Sequence, residues 1–218
     1  TILKMLLIEQ RRIISNKKKE KITNLSFYQS KTLPKNHNHI KIKFSNFTII
    51  YNDPRRFGFF KLLKNKKELK KYFQRSGPEA ISSKFNFKYI KLKFINKNKN
   101  IKNFLLDQNF VSGIGNIYAN EILFYSKISP LKLAKKISNK EIIELAKYTK
   151  LVLNLAIKFG GSSIRNFKNT KGGSGFFQNK FKVYDRESKN CSRKNCKGKI
   201  IKIFITNRSS FFCKYCQK

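Results

Sequence analysis

Acidic residues are scarce in this sequence: eleven Asp and Glu stand against fifty Lys and Arg, which gives a formal net charge of +39. A compact chain with this much self-repulsion needs a polyanion to offset it. Lys, Asn and Ile are used throughout the sequence at positions where Arg, Ala or Leu would serve equally well, so part of the excess positive charge is compositional background. The sign of the charge therefore carries more weight than its size. The composition therefore favours nucleic acid as the partner.

Long hydrophobic runs are also missing. No stretch approaches the roughly 18 uncharged apolar residues of a membrane span, and the first residues do not resemble a cleavable signal. An acidic membrane surface would attract the charge, but the sequence predicts a soluble, cytosolic protein without a membrane partner. Apolar residues make up 40% of the 218 residues, enough for packed cores in one large domain or two modest ones.

Cysteine is confined to the last thirty residues, where Cys191, Cys196, Cys213 and Cys216 form two close pairs on either side of sixteen residues. This spacing matches a four-cysteine zinc ribbon, in which four thiolates surround one ion tetrahedrally. The intervening residues 198–212 alternate like a β-hairpin. The alternative is a pair of disulfides in a small basic domain, which a reducing cytosol disfavours. We therefore predict one structural Zn²⁺ held by these four side chains.

The hydrophobic pattern changes along the chain. Short apolar or alternating runs in the first part predict strands at 4–9, 40–44 and 47–51. After about residue 68 the spacing becomes helical, and Ser138-Asn-Lys-Glu141 forms a capping box before a long amphipathic helix that ends at Gly160-Gly161. The predicted architecture is therefore β-rich, then helical, then a metal-binding hairpin.

Gly113-Ile-Gly-Asn116 is a first candidate for ligand binding. Two glycines let the backbone approach a ligand closely, and the N–H groups at the start of the following helix form an anion site that suits a DNA phosphate. Lys97 and Lys102 lie just upstream and would add cations on the same side. The alternative interpretation is an ordinary turn between two helices.

Asp53-Pro-Arg-Arg-Phe-Gly58 is a second candidate. Pro54 and Gly58 favour a tight loop after a strand, with two guanidinium groups and an aromatic ring projecting from it. One interpretation is a hairpin end with surface arginines and a core Phe. The other is an aromatic wedge and an Arg that enter duplex DNA and fill the hole left by an extruded base. Local sequence does not decide between them.

Several motifs stand here in a characteristic order: Lys-x-Leu-Leu-Ile-Glu, His-x-His, Asp-Pro-Arg-Arg-Phe-Gly, Leu-Leu-Asp-Gln, Gly-Ile-Gly-Asn-Ile-Tyr-Ala-Asn-Glu, Gly-Gly-Ser-Ser and Arg-Ser-Ser-Phe-Phe-Cys-x-x-Cys-Gln-Lys. Over nearly all of its length the chain resembles formamidopyrimidine-DNA glycosylase, the bacterial base-excision enzyme that removes oxidised purines such as 8-oxoguanine and formamidopyrimidines and then cleaves the strand as an abasic-site lyase.

The resemblance implies an α+β fold in three parts. Residues 1–69 would belong to an amino-terminal β-sandwich lobe, 70–184 to a helix-two-turn-helix domain and 185–218 to a zinc-ribbon finger. The implied partner is double-stranded DNA containing an oxidised purine or an abasic site. The implied protein is a monomer of the bacterial cytoplasm, associated with the nucleoid.

The resemblance also implies roles for individual residues. Lys4 matches a proton donor of the β-lobe, and Arg208 matches an arginine that grips phosphates around the lesion and assists the second elimination. The residues matched to DNA contacts are His37, Arg55, Phe57, Lys97, Lys102 and Asn116. Among these, Phe57 would be the wedge, Arg55 would also face the base opposite the lesion, and Lys102 and Asn116 would hold phosphates. Glu121 matches an acidic residue near the base pocket, and 160–177 matches the loop that closes over the everted base.

The amino terminus departs from the family. The family's nucleophile is the α-amine of a terminal proline in a Pro-Glu-Leu-Pro-Glu stretch, whereas this chain opens with Thr1-Ile-Leu-Lys4, and Pro-Glu-Leu-Pro does not occur in it. Because Lys4 precedes Arg55 by the family's usual spacing, we expect the sequence to begin well inside a truncated β-lobe. Amine attack on C1′ needs that nucleophile, so weak or absent base excision is expected of these 218 residues. The family's Met wedge is also missing, and Leu25 is its candidate substitute.

Two other functions compete with the enzyme. A non-catalytic, zinc-containing binder of damaged or abasic duplex DNA would need only the helical domain and the ribbon. A basic zinc protein of the ribosome fits the charge but not the ordered motifs.

Overall fold

The computed structural model describes residues 5–9, 13–15, 35–46, 48–53, 56, 58–63, 65–162 and 175–218. The chain divides into two compact units, one formed by Thr1–Gln74 and Gly160–Phe176 and the other by Arg75–Phe159 and Phe177–Lys218. The carboxy-terminal hairpin thus belongs to the same unit as most of the helices.

The first unit contains two antiparallel sheets. Strand β1 (Met5–Glu9) pairs with β5 (Phe59–Leu63), and a second sheet has the order β2 (Ile13–Ser15), β4 (Thr48–Asn52), β3 (Asn38–Lys43). The strands predicted at 4–9, 40–44 and 47–51 are confirmed as β1, β3 and β4, with bounds shifted by one or two residues. Strands β2 and β5 were not predicted.

Helix α1 (Lys66–Phe73) follows β5 in the same unit. It begins where the Asn65 side chain accepts a hydrogen bond from the backbone N–H of Glu68, which satisfies one of the unpaired amides of the first turn. The helix carries Lys70 and Lys71 in its last turn, where cations interact favourably with the helix dipole.

Four helices build the second unit: α2 (Phe87–Phe94), α3 (Ile101–Leu105), α4 (Asn116–Tyr125) and α5 (Asn139–Lys158). Asn86 and Asn100 cap α2 and α3 through their side-chain oxygens. Asn is favoured at this position because its side chain forms hydrogen bonds with the backbone N–H groups of the first turn. The predicted capping box at the start of α5 is confirmed, because Ser138 and Glu141 accept each other's backbone N–H. The helix ends before Gly160 and Gly161, whose φ angles are positive.

The main core of this unit lies around α4, whose residues 119–124 are all buried. Aromatic rings fill the space beside it: Phe110 contacts Phe85, Phe94 and Phe104 with ring centroids 5.2–5.8 Å apart. Each buried side chain of this size contributes about 1.5–3 kcal/mol, so these rings supply a large part of the apolar burial in this unit.

The hairpin predicted between the cysteine pairs is confirmed as β6 (Ile200–Ile205) and β7 (Arg208–Cys213), which pair antiparallel from Ile200 opposite Cys213 to Ile205 opposite Arg208. Its inner residues form a second, smaller core with Phe124 of α4. None of the helices in the described part of the chain combines the length and the apolar composition needed to cross a bilayer.

Candidate nucleic-acid interface

The tip of the hairpin is bound to helix α3 through Lys102. Its ammonium group donates to the backbone oxygen of Ser209 at 2.8 Å and to Oγ of Ser210 at 2.5 Å. The side chain is fully buried, which is rare for lysine and occurs where the amine has hydrogen-bond partners such as these. An ammonium group has three N–H donors, so these two contacts leave one for another acceptor.

Asn116, the first residue of α4, reaches the same carbonyl. Its Nδ2 donates to the Ser209 oxygen at 3.0 Å, and the second N–H of the amide remains for another acceptor. Its Oδ1 is buried and has no hydrogen-bond partner among the described residues. Lys102 and Asn116 therefore converge on a single backbone oxygen that directly follows Arg208, which is itself exposed.

Burial first, and the positive charge of Arg208 second, together lower the pKa of Lys102 from 10.5 to about 8. The described contacts therefore bring two positive charges together, and none of these contacts is with a carboxylate. A negatively charged ligand at this point would relieve the repulsion between the two cations. The cluster of Lys102, Asn116 and Arg208 around Ser209 is called the tip cluster below.

Asn120 joins α4 to strand β7 beside the tip cluster. Its Nδ2 donates to the backbone oxygen of Asn116 at 2.6 Å, and its Oδ1 accepts from the backbone N–H of Phe211 at 2.8 Å. Sequence analysis did not single out this residue, although it lies one helical turn after Asn116 and so occupies the same face.

The turn that leads into α4 has the backbone geometry predicted for Gly113-Ile-Gly-Asn116. Gly113 has a φ of +93°, a region that favours glycine, and Gly115 begins the helix without a side-chain cap. A Cβ atom at either glycine would meet nothing within 4 Å, so the space beside this backbone is open. The helix start can therefore receive an anion on its N–H groups.

The four cysteines converge at the base of the hairpin. Their Sγ atoms all lie within 4.8 Å of one another, with 3.8 Å between Cys191 and Cys216 and 3.6 Å between Cys196 and Cys213. These separations exceed the S–S bond of a disulfide, about 2.05 Å, and the four cysteines are free thiols. The arrangement can hold one metal ion.

Arg193, between the first two cysteines, fixes this metal-binding base to the end of α4. Its Nη2 donates to the Phe124 carbonyl at 2.6 Å, and its guanidinium carbon lies 4.7 Å from the centre of the Phe124 ring. The contact places a cation at a helix carboxy terminus, where it is favourable.

Glu121 is fully buried and accepts three backbone N–H groups, from Lys182, Val183 and Tyr184, at 2.9–3.0 Å. Burial raises the pKa of Glu121, while the three amides act in the opposite direction. The resemblance suggested a position near a base pocket. In the described contacts the carboxylate anchors the chain that leads into the metal site.

The loop after β4 is closed by Asp53. Its Oδ2 accepts from the backbone N–H of Gly58 at 2.8 Å and from the Tyr51 hydroxyl at 3.1 Å. A Cβ atom at position 58 would collide with the Tyr51 hydroxyl, so any other residue here would displace the Tyr51 side chain from Asp53. The backbone oxygen of His37 accepts from the Asp53 N–H at 2.9 Å, which attaches His37 to the start of the same loop.

Three predicted site residues, Lys4, Arg55 and Phe57, lie outside the described residues. Lys97 is described: it is exposed in the connection between α2 and α3, and no hydrogen bond among the described residues joins its side chain to the tip cluster. The structure thus brings together Lys102, Asn116 and Arg208 of the predicted DNA contacts, while His37 lies in the other unit.

Comparison with known proteins gives a consistent result. Residues 76–168 match the family model described as the formamidopyrimidine-DNA glycosylase H2TH (helix-two-turn-helix) domain. A formamidopyrimidine-DNA glycosylase of Roseobacter denitrificans is 40% identical over 194 residues, which cover 88% of this chain and 69% of that protein. The protein of the same name from Histophilus somni is 42% identical over 183 residues, which cover 84% of this chain and 67% of that protein.

Solved structures agree with this match. The complex of Lactococcus lactis Fpg with DNA containing an abasic site has a TM-score of 0.79 at 32% identity, and the match covers 98% of this chain and 74% of that one. A Lactococcus lactis Fpg mutant bound to DNA containing Fapy-dG also has a TM-score of 0.79, at 31% identity and the same coverage.

Proposed function

Because the chain belongs to the formamidopyrimidine-DNA glycosylase family, we propose that it acts in base-excision repair, as a DNA glycosylase with abasic-site lyase activity on duplex DNA that contains an oxidised purine. The proposed substrates are 8-oxoguanine and formamidopyrimidines. Its relatives include Fpg proteins solved in complex with abasic-site DNA and with Fapy-dG DNA, which supports a damaged duplex as the partner.

The tip cluster is the observation that supports this function best. Lys102 and Asn116 each keep an N–H donor after binding Ser209, and the exposed Arg208 is near enough for its charge to act on Lys102. Cations and amide donors that converge from two helices and a hairpin suit the phosphate backbone, which receives most hydrogen bonds in protein–DNA complexes. In the proposed complex these three residues hold phosphates near the lesion.

The remaining assignments follow from the family. His37 and Lys97 would contact the DNA backbone, Arg55 and Phe57 would enter the duplex from the loop closed by Asp53, and Lys4 would donate a proton. Arg208 would also assist the second elimination. The tight closure of that loop by Asp53 and Gly58 supports a projecting role for the residues between them.

We assign the metal as Zn²⁺, with Cys191, Cys196, Cys213 and Cys216 as ligands. A tetrahedral site with Zn–S bonds of about 2.3 Å has sulfur atoms about 3.8 Å apart. The observed 3.6 and 3.8 Å separations support this assignment. Such a closed set of four thiolates leaves no open position, so the ion would stabilise the hairpin and take no part in the reaction.

At the level of domains, we propose that 1–69 forms part of a β-sandwich lobe, 70–184 the helix-two-turn-helix domain and 185–218 a zinc-ribbon finger. The two antiparallel sheets of the first unit support the first of these, and the β6–β7 hairpin between the cysteine pairs supports the last. We further propose that the protein acts as a monomer in the bacterial cytoplasm, on the nucleoid.

Binding to a duplex with a stable tetrahydrofuran abasic analogue tests the proposal directly. In a fluorescence anisotropy titration at low ionic strength, we expect tighter binding to this duplex than to the same duplex without damage. Equal affinity of the folded protein for both duplexes would contradict damage recognition. The undamaged duplex has the same length and nearly the same charge, so it serves as the control for attraction by charge alone.

Borohydride trapping on an 8-oxoguanine duplex tests the chemical step. Amine attack on C1′ gives an iminium that borohydride reduces to a covalent protein–DNA adduct, so a trapped adduct supports the glycosylase and lyase activity. Damage-specific binding without an adduct would favour the non-catalytic binder of abasic DNA for these 218 residues, in which the family's Pro-Glu-Leu-Pro stretch does not occur.

A further inference from the structure

The turn that joins β6 and β7 has an unfavourable residue in it. Thr206 and Asn207 form a two-residue connection, and their φ angles are 48° and 58°. Two-residue hairpin turns with positive φ at both positions favour Asn and Gly. A β-branched residue such as Thr is strained in this region, so an additional interaction is needed to explain it.

The Thr206 side chain makes such an interaction with Asn103 of helix α3. Asn103 Nδ2 donates to Thr206 Oγ1 at 2.9 Å, and the Thr206 hydroxyl lies 3.3 Å from Asn103 Oδ1. The backbone of Asn103 is itself fixed, because its N–H donates to the Asn100 side chain at 2.9 Å. The two side chains thus form a reciprocal pair between a capped helix and the hairpin turn.

In the chain, Thr206 precedes Arg208, whereas the other anchored residues of the hairpin tip follow it. Lys102, Asn116 and Asn120 bind Ser209, Ser210 and Phe211, which all follow Arg208 in the chain. Among the described hydrogen bonds that join the hairpin itself, residues 200–213, to α3 and α4, the pair with Asn103 is the one that precedes Arg208. Arg208 is exposed, so the backbone on both sides sets the point from which its side chain extends.

We propose that Asn103 and Thr206 are positioning residues, which hold the hairpin turn against α3 so that Arg208 stays aligned with Lys102 and Asn116 for a DNA phosphate. This inference rests on the proposed function and names residues outside its assigned contacts. The pair acts through Arg208, and neither member needs to touch the nucleic acid.

Four variants test the pair. Thr206→Val keeps the shape and the β-branch but removes the hydroxyl, and Asn103→Ala removes the partner. Thr206→Ser keeps the hydroxyl and should restore function. Ser82→Ala is the matched control, because it removes another exposed hydroxyl hydrogen bond, 2.7 Å long to the Glu79 carbonyl, away from the hairpin.

Affinity for the tetrahydrofuran duplex is the first measurement. A neutral hydrogen bond of ordinary strength predicts that Thr206→Val and Asn103→Ala raise Kd about 3- to 10-fold. Thr206→Ser and Ser82→Ala should stay near the wild-type value, and all four should keep the wild-type metal content.

A double-mutant cycle with Arg208→Ala separates positioning from simple loss of stability. If the pair acts through Arg208, the loss of Arg208 costs less affinity in the Thr206→Val background than in the wild type, by about threefold or more. Additive effects would overturn the positioning role.

Amide hydrogen exchange of the DNA-free protein provides a readout that does not depend on DNA binding. Exchange at 206–209 should be faster in Thr206→Val than in the wild type and unchanged in Ser82→Ala. If exchange at 206–209 is unchanged in Thr206→Val, the positioning role of Asn103 and Thr206 is refuted, even where the wild type binds DNA. Faster exchange in a protein that does not recognise the abasic duplex overturns the proposed function instead, and the positioning role with it.

Discussion

Lys102 makes the tip cluster sensitive to pH, and this sensitivity gives the sharpest prediction. The amine is buried between Ser209 and Ser210, and its pKa is lowered from 10.5 to about 8 by burial first and by Arg208 second. That difference corresponds to about 3 kcal/mol against the charged form in the folded protein. The folded state therefore binds this proton less tightly than the unfolded chain does.

The sign of the two pH effects is opposite. Without DNA, unfolding free energy should rise as pH increases from about 8 to 10.5, because the buried charge is lost. A DNA phosphate beside the cluster favours the charged amine and raises its pKa again. Binding then takes up a proton, and affinity should fall as pH increases through about 8.

The expected size follows from the same pKa. If a bound phosphate returns the pKa to its ordinary range, Kd for the abasic-analogue duplex should rise about tenfold between pH 7 and pH 9. Lys102→Met keeps an apolar chain of similar length in the buried position and removes the titrating group. Its affinity should be lower at pH 7, and the rise in Kd between pH 7 and 9 should be lost.

Anisotropy titrations at constant ionic strength measure these constants. Lys140→Met, which removes an exposed lysine from the start of α5, is the matched control and should keep the full pH dependence. The salt dependence of Kd should also become shallower in Lys102→Met by about one phosphate contact. The same tenfold rise in Lys102→Met as in the wild type would refute the role of this amine.

Three further predictions concern the framework of the site. Elemental analysis should find one zinc ion per chain in the wild type and none in Cys213→Ser, whose hairpin should unfold because metal binding there contributes folding energy. A metal-free but folded hairpin would count against the zinc assignment. Glu121→Gln should lower the urea unfolding free energy by about 1–3 kcal/mol, because an amide N–H₂ would face the backbone donors of 182–184, whereas Glu144→Gln on α5 should change it by less than about 0.5 kcal/mol. Asn207→Val should destabilise the protein by about 1–2 kcal/mol at its positive φ, and Asn207→Gly should not, which thermal unfolding can distinguish.

Local sequence signals predicted most of the elements around the site. The capping box of Ser138 and Glu141, the alternating residues between the cysteine pairs and the glycines before α4 depend on short-range chemistry, and each is found in the structure. Strand β5 was missed because its five residues, Phe59–Leu63, read Phe-Phe-Lys-Leu-Leu, which directly follows a glycine loop and does not alternate between apolar and polar residues.

The contacts that build the tip cluster could not be predicted in this way, because they join residues about a hundred positions apart. The sequence indicated that Lys102 is a cation near a phosphate-binding turn, but its burial depends on Ser209 and Ser210 reaching it from the hairpin. Asn103 is a neighbouring polar residue with no local signal, and its partner Thr206 is a poor residue for its turn. The mismatch between Thr206 and its backbone is itself informative, since a residue that conflicts with local preference points to a long-range contact that compensates for it. The same reasoning applies to Lys102. Burying its ammonium group is unfavourable, and Ser209, Ser210 and, in the proposed complex, a DNA phosphate offset this by accepting hydrogen bonds from its three N–H groups.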